Sequence, residues 1–376
     1  SWSKPSVGWV RWNGTKRLVM FVGGGYDAGG TDGDGTFDTD GSRAGYAGYE
    51  GTSASDTSYS QTNRKGAGVY MFDALTGQLL WWAGANATAA NTSSGVQNTV
   101  SANMQYSVVS QIRTVDRNSD GLIDHLYFGD LGGQLWRVDI NNNAPSVNAF
   151  AKTPAQLLNL HKGQYSPRFY TMPSFSVYQT DNGTYFGVVS IGSGNASSPL
   201  FDSTSSADTT TYQSNGYNND AIYNIYDKDV ARSDLFNYTK STSGSSTTYS
   251  YSATLTTPTL TLANSATAPT TAVLVPLSSN NGTTNVAPYT TTGGWYYYFA
   301  SNKLQDEKVI YTPLVIDSDM YVTTYDGSTN GLSGDCGAGV KGDSFVTQFC
   351  MPYGQCTSSK GTSTNFVGRK THIGVG

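Results

Sequence analysis

The sequence predicts an all-β protein of β-propeller type, with about seven blades and long loop insertions, and three observations lead there. Charged residues make up only 13% of the 376-residue chain. That is too few to clothe the solvent faces of amphipathic helices and too few for a chain held open by net charge. Polarity comes instead from Ser, Thr, Asn and 43 Gly, the composition of short strands and turns. Finally, one pattern recurs along the chain: a short β-branched and aromatic run, an Asp, a Gly turn, then a second run ending in Trp or Asp.

Val69-Tyr70-Met71-Phe72-Asp73 followed by Leu75-Thr76-Gly77-Gln78-Leu79-Leu80-Trp81 is one copy. Leu126-Tyr127-Phe128-Gly129-Asp130 followed by Gly132-Gly133-Gln134-Leu135-Trp136-Arg137-Val138-Asp139 is a second. Each reads as an antiparallel hairpin, since two such runs across a Gly turn can exchange ladder hydrogen bonds in no other sense. Ala221-Ile222-Tyr223-Asn224-Ile225-Tyr226-Asp227 and Met320-Tyr321-Val322-Thr323-Thr324-Tyr325-Asp326-Gly327 read as half-copies. A lone hairpin cannot bury its own faces but a ring of them can, so recurrence at roughly 40 to 50 residues points to blades. The whole chain, 1–376, is read as a single domain. Stretches 26–66, 198–219 and 240–292 are read as insertions on one face of the ring, the last with a small β excursion at 254–262 and 272–277.

The net charge of −5 and a pI near 5.1, without any basic stripe, argue against nucleic acid as a partner. No apolar run approaches the roughly 20 residues of a membrane-spanning helix. No signal segment opens the chain at Ser1, so it is expected to be a mature product or, the favoured reading, a fragment of a longer protein. Cysteines occur at 336, 350 and 356. Cys350 and Cys356 bracket a turn-rich Met-Pro-Tyr-Gly-Gln loop at a hairpin neck, within disulfide reach, and a bridge there implies an oxidising compartment. Pairing through Cys336, or three free thiols, are the alternatives.

The chemistry concentrates at Asp116-Arg117-Asn118-Ser119-Asp120-Gly121-Leu122-Ile123-Asp124. These residues match the first nine positions of a calcium loop, with oxygen side chains at 1, 3, 5 and 9, Gly at 6 and a backbone carbonyl at 7. Asp116, Asn118, Asp120 and Asp124 would offer side-chain oxygens and Leu122 its carbonyl, while Arg117 and Ser119 are expected to face water. Close-set carboxylates repel unless a divalent cation neutralises them. Calcium is preferred over magnesium, which keeps its waters. Position 12 holds Tyr127 in place of the usual bidentate Glu, so a bidentate Asp124 or a water must fill out the shell. The acidic run Asp32-Gly33-Asp34-Gly35-Thr36-Phe37-Asp38-Thr39-Asp40 is either a second cation loop or a solvated turn.

Catalytic constellations are poor. His125, His161 and His372 are scattered, and Gly23-Gly24-Gly25 and Gly192-Ser193-Gly194 lack the surroundings of a phosphate loop or nucleophile elbow and read as turns. The chain is therefore expected not to be an enzyme.

Phe21-Val22-Gly23-Gly24-Gly25-Tyr26-Asp27, the run 69–81, the calcium loop leading into 126–140, and the segment from Cys336 to Cys356 together resemble the C-terminal domain of type IV pilus biogenesis and tip-adhesin proteins of the PilC/PilY family. The resemblance implies a modified seven-bladed propeller with Ca2+ held at Asp116 to Asp124. It also implies a role in pilus extension and retraction and in adhesion to host cells, with pilus components (minor pilins) and the host-cell surface as partners. The location implied is extracellular, at the pilus tip or outer membrane, downstream of an N-terminal module. Two alternatives remain. The Asp…Thr-Gly…Leu-Leu-Trp repeat is also similar to that of quinoprotein dehydrogenases, although the vicinal Cys pair frequent in those enzymes is missing here. A lectin-like binder stacking Tyr and Trp on sugars is the other.

Overall fold

The computed structural model describes residues 3–27, 66–161, 166–197, 199, 219–263, 269–277, 286–299, 306–328, 342–357 and 365–375. Among them strands dominate, and the only helices are two short 3-10 turns. The acidic run 32–40, Cys336 and nearly all of the expected insertions 26–66 and 198–219 lie outside the described residues.

Four principal sheets form in chain order. The first runs β1 (Ser6–Trp12), β2 (Thr15–Gly23), β3 (Val69–Asp73), β4 (Leu79–Gly84) and β5 (Gln97–Val100). The second is β6 (Arg113–Val115), β7 (His125–Gly129), β8 (Gln134–Asp139) and β9 (Ala155–Asn159). The third is built on β10 (Ser174–Gln179), β11 (Tyr185–Gly192) and β12 (Ala221–Asp227), followed by β17 (Gly294–Tyr298), β16 (Val273–Pro276) and β15 (Thr261–Leu262). The fourth centres on β20 (Asp319–Asp326), flanked by β18 (Glu307–Val309) and β19 (Leu314–Ile316) on one side and by β21 (Asp343–Cys350) and β24 (Arg369–Val375) on the other.

Strand alternation explains how the sheets stack. On β7, Leu126 and Phe128 join the core shared with the first sheet, whereas Tyr127 joins the core shared with the third. On β8, Trp136 and Val138 go one way and Leu135 the other. On β12, Ile222 and Tyr226 face the fourth sheet while Tyr223 and Ile225 face the second. Each inner sheet thus buries both faces, which is why its central strands read as nearly continuous apolar runs.

Both expected hairpins are present as β3–β4 and β7–β8, antiparallel. The half-copies are single central strands: β12 pairs with β11 and β17, well separated in sequence, and β20 pairs with β21 and, across a two-residue turn, with the short β19. The recurrent Asp has a turn-capping task. Asp73 accepts the amides of Leu75 and Thr76, Asp130 those of Gly132 and Gln134, Asp227 those of Asp229 and Val230, and Asp326 that of Ser328. A carboxylate after the strand thereby satisfies amides that the ladder leaves unpaired.

The stretch 240–292 contributes more than an excursion. β13 (Tyr238–Ser243) and β14 (Ser246–Tyr251) form an exposed ribbon, and β15 and β16 extend the third sheet beside β17 in parallel register. This lengthens one sheet where repeat spacing alone would open another. Gly23 and Gly192 are close-approach positions within strands and not turns: an added Cβ would stand 2.2 Å from the Val108 carbonyl oxygen and 2.4 Å from Val309, respectively.

Candidate functional site

Residues 116–124 close the β6–β7 hairpin, in which Val115 pairs with His125. The loop curls around its first residue. Asp116 accepts the amides of Asn118 and Asp120 on Oδ1 (3.2 and 3.3 Å) and that of Gly121 on Oδ2 (2.8 Å). Asp120 accepts the Leu122 amide at 2.9 Å and the Asn118 side-chain amide at 3.1 Å. The curl needs left-handed backbone at Gly121 (φ 80°), where glycine pays no Cβ penalty, and at Ser119 (φ 60°). Asp116, Asn118 and Asp120 are exposed.

Asp124 differs. It is buried, and its two oxygens are engaged by the Arg117 amide (3.0 Å) and by the Asn142 side chain (3.1 Å). Burial pushes its carboxyl up, and those two donors partly offset the push. The far end of the loop is also fastened to the first sheet: the Ile123 amide donates to the Trp9 carbonyl at 2.8 Å.

Arg117 does not face water as expected. Its guanidinium donates to the Arg232 carbonyl at 2.9 Å and stands 5.4 Å from the centre of the Phe236 ring. The long aliphatic stem and flat cation suit a half-buried seam that an exposed turn position did not suggest. Ser119 is exposed.

The donor set suits a hard divalent cation, being all oxygen and presented at alternate positions by a tightly curled backbone. The Leu122 carbonyl accepts no hydrogen bond from the described residues. Tyr127, at position 12, is turned away: it is fully buried and its hydroxyl donates to Asp227 Oδ2 at 3.0 Å. Among the described residues, the single place where three ligating atoms of His, Cys, Asp or Glu lie within 4.8 Å of one another is Asp319 with Cys350 and Cys356. There the two sulfurs are bonded to each other, leaving no thiolate for a metal. The three carboxylates of the 116–124 loop are less tightly gathered than that.

Behind the loop lies a buried ionic chain that sequence reading missed. Arg137, fully buried on β8, pairs with Asp139 (Nε to Oδ1, 2.8 Å) and with Asp227 on β12. His125 Nδ1 lies 2.8 Å from Asp139 Oδ1. Although burial alone would raise it, the Arg137 guanidinium and His125 hold Asp139 well below the usual carboxylate range. Arg137 itself is held well above its ordinary value by Asp139 and Asp227, against the opposing effect of burial. The available signal was the alternation itself, which places positions 125, 127, 135, 137 and 139 on the face toward the third sheet. His161 and His372 sit apart from this chain, beside Tyr106 and Asp343.

Cys350 ends β21 and is disulfide-bonded to Cys356 in β22 (Gln355–Cys356), across a turn closed by the Gly354 amide on the Cys350 carbonyl.

No family model and no curated protein matches the chain. Among solved structures it is similar to the C-terminal domain of Pseudomonas aeruginosa PilY1, at 17% identity and a TM-score of 0.45, over 98% of this chain and 78% of that one. No helix among the described residues is long and apolar enough to cross a membrane.

Proposed function

We propose that the chain is a calcium-binding, propeller-like domain, of about seven blades by its repeat spacing, from a type IV pilus-associated surface protein. It works by binding and regulation, not catalysis, governing pilus extension and retraction and supporting adhesion to host cells. Minor pilins and the host-cell surface are its partners, at the pilus tip or outer membrane.

The observation that carries this reading is the loop 116–124 mounted on a β-hairpin that runs directly into Gly129-Asp130 and Leu135-Trp136-Arg137. That combination is the most specific of the four segments on which the family resemblance rests. Face-to-face stacking of successive, mainly antiparallel sheets supports the propeller element.

Bound calcium supplies two positive charges among Asp116, Asp120 and Asp124. The residues of the chain determine where that local change is felt. Asp124 leads through Asn142 to the Arg11 amide on β1, and Arg117 leads to the Arg232 carbonyl in the segment after β12. The loop is therefore joined to β1 of the first sheet and to the segment that follows β12, the arrangement expected of a local switch.

Complementation of a deletion strain tests the reading. Asp124→Ala in the full-length protein should remove calcium binding and change surface pili and retraction, and Asp124→Lys, which places an ammonium at the loop, should restore part of the bound-state behaviour. Normal pili and retraction in Asp124→Ala cells whose purified domain has lost calcium would contradict the regulatory role.

A further inference from the structure

All four principal sheets contribute to the wall of one cavity of about 470 Å³, within the roughly 300 to 1,000 Å³ of small-molecule sites. Tyr26, just past β2, comes from the first sheet, Val109 leads into β6 of the second, and Tyr170 and Thr171 lead into β10 of the third. Val309, the last residue of β18, and Ile310 close it from the fourth. Tyr26, Val109 and Tyr170 belong to a small apolar cluster separate from the three main cores.

The wall defines what fits. None of the described lining residues carries a charge, so an ion entering would give up its water without a counter-charge in return. The rings of Tyr26 and Tyr170, 6.5 Å apart between centres and inclined at 36°, form an aromatic corner against which a flat ring can stack or meet edge-on. Beside that corner are two unused hydroxyls. Tyr170 Oη and Thr171 Oγ1 are both closed off from water and have no hydrogen-bond partner, an arrangement that folded proteins seldom tolerate. A ligand group that reaches them makes new bonds without breaking old ones, whereas a bare hydrocarbon leaves them unpaired.

We propose that this cavity binds a small, uncharged aromatic molecule carrying one hydroxyl-type head, its ring against Tyr26 and Tyr170 and its head on the hydroxyls of Tyr170 and Thr171. The aliphatic side chains of Val109, Val309 and Ile310 cover the remainder of the ring. The site draws on neither the loop 116–124 nor any ion, so it stands apart from the calcium reading.

The test uses the full chain and three probes of one shape: 2-naphthol, naphthalene, which lacks the head, and 2-naphthoate, which replaces it by a charge. Affinities come from ligand-observed NMR. 2-Naphthol should bind roughly tenfold tighter than either relative, the effect of one well-placed neutral hydrogen bond. Two variants locate the effect. Ala196→Trp adds bulk at an exposed position on the cavity wall and should remove 2-naphthol binding while the circular dichroism stays that of the parent chain. Tyr170→Phe combined with Thr171→Val keeps the shape of the wall without its hydroxyls and should bring 2-naphthol down to the affinity of naphthalene. Binding of none of the probes, or no preference for 2-naphthol in the parent chain, would overturn the proposal. So would 2-naphthol binding that survives Ala196→Trp, or a preference that survives loss of both hydroxyls.

Discussion

Asn142 ties Asp124 to the first sheet: its Nδ2 donates to Asp124 Oδ1 at 3.1 Å and to the Ile123 carbonyl at 2.9 Å, while its Oδ1 accepts the Arg11 amide at 2.8 Å. One amide side chain therefore satisfies the buried end of the loop and an otherwise free amide on edge strand β1. Asn142→Ala leaves these buried groups unpaired. The expected loss is about 1 to 3 kcal/mol of stability by urea denaturation, with calcium affinity weakened roughly tenfold through misplacement of Asp124. Unchanged values of both would show that water replaces the side chain without cost.

Arg137→Ala should be far more damaging. Asp139 and Asp227 would be left as buried carboxylates without their cation, a situation that typically costs about 3 to 5 kcal/mol. Denaturant unfolding of the variant, or its failure to accumulate as folded protein, checks this. Stability near that of the parent chain would mean that the ionic chain tolerates rearrangement.

The pH dependence of stability should carry two opposed contributions. Burial pushes Asp130 up to about 7, despite donors from Trp136, Gln134 and Gly132. Its folded value lies above the ordinary 3.8, so its contribution is present at acid pH and is lost as pH rises toward 7. Asp139 acts in the opposite sense, its stabilisation being present above the ordinary carboxylate value and lost as pH falls through its depressed one. Asp130→Asn should flatten the decline between pH 4 and 7, which amounts to something on the order of 4 kcal/mol at most. A decline of equal slope in the variant would assign it to other groups.

Removing the Cys350–Cys356 bridge by a double serine substitution should cost about 2 kcal/mol, since the loop it closes is short. Thermal or urea unfolding measures the loss, and no change on substitution would mean that the Gly354 turn holds the segment alone.

The all-β class was legible because low charge and abundant Gly leave few other options, and the hairpins at 69–81 and 126–139 because their runs and turns are local. Asp73 and Asp130 were visible as a repeat, but their capping task depends on which amides the ladder leaves free. Strand character at 254–262 and 272–277 was legible and falls on β15 and β16, but their joining of the third sheet was not, because pairing over long separations carries no local period. Arg137, His125 and Asp227 were hidden for a related reason: a buried ionic chain forms only when two sheets meet, and each residue taken alone reads as a solvated strand position. At the loop, the tight curl around Asp116 with its glycine at 121 could be read from spacing. The tether from Asp124 to Asn142 and the burial of Arg117 could not, because their partners lie in other parts of the sequence.

Calcium binding by residues 116–124 is the claim on which the functional reading depends. Isothermal titration of calcium into chelator-stripped chain, alongside Asp120→Ala and Asp124→Ala, tests it most directly. The account predicts one saturating site in the parent chain, weakened strongly or abolished in both variants, with all three proteins folded by circular dichroism. A parent chain that gives no calcium-dependent heat, or variants that titrate as the parent does, would contradict it.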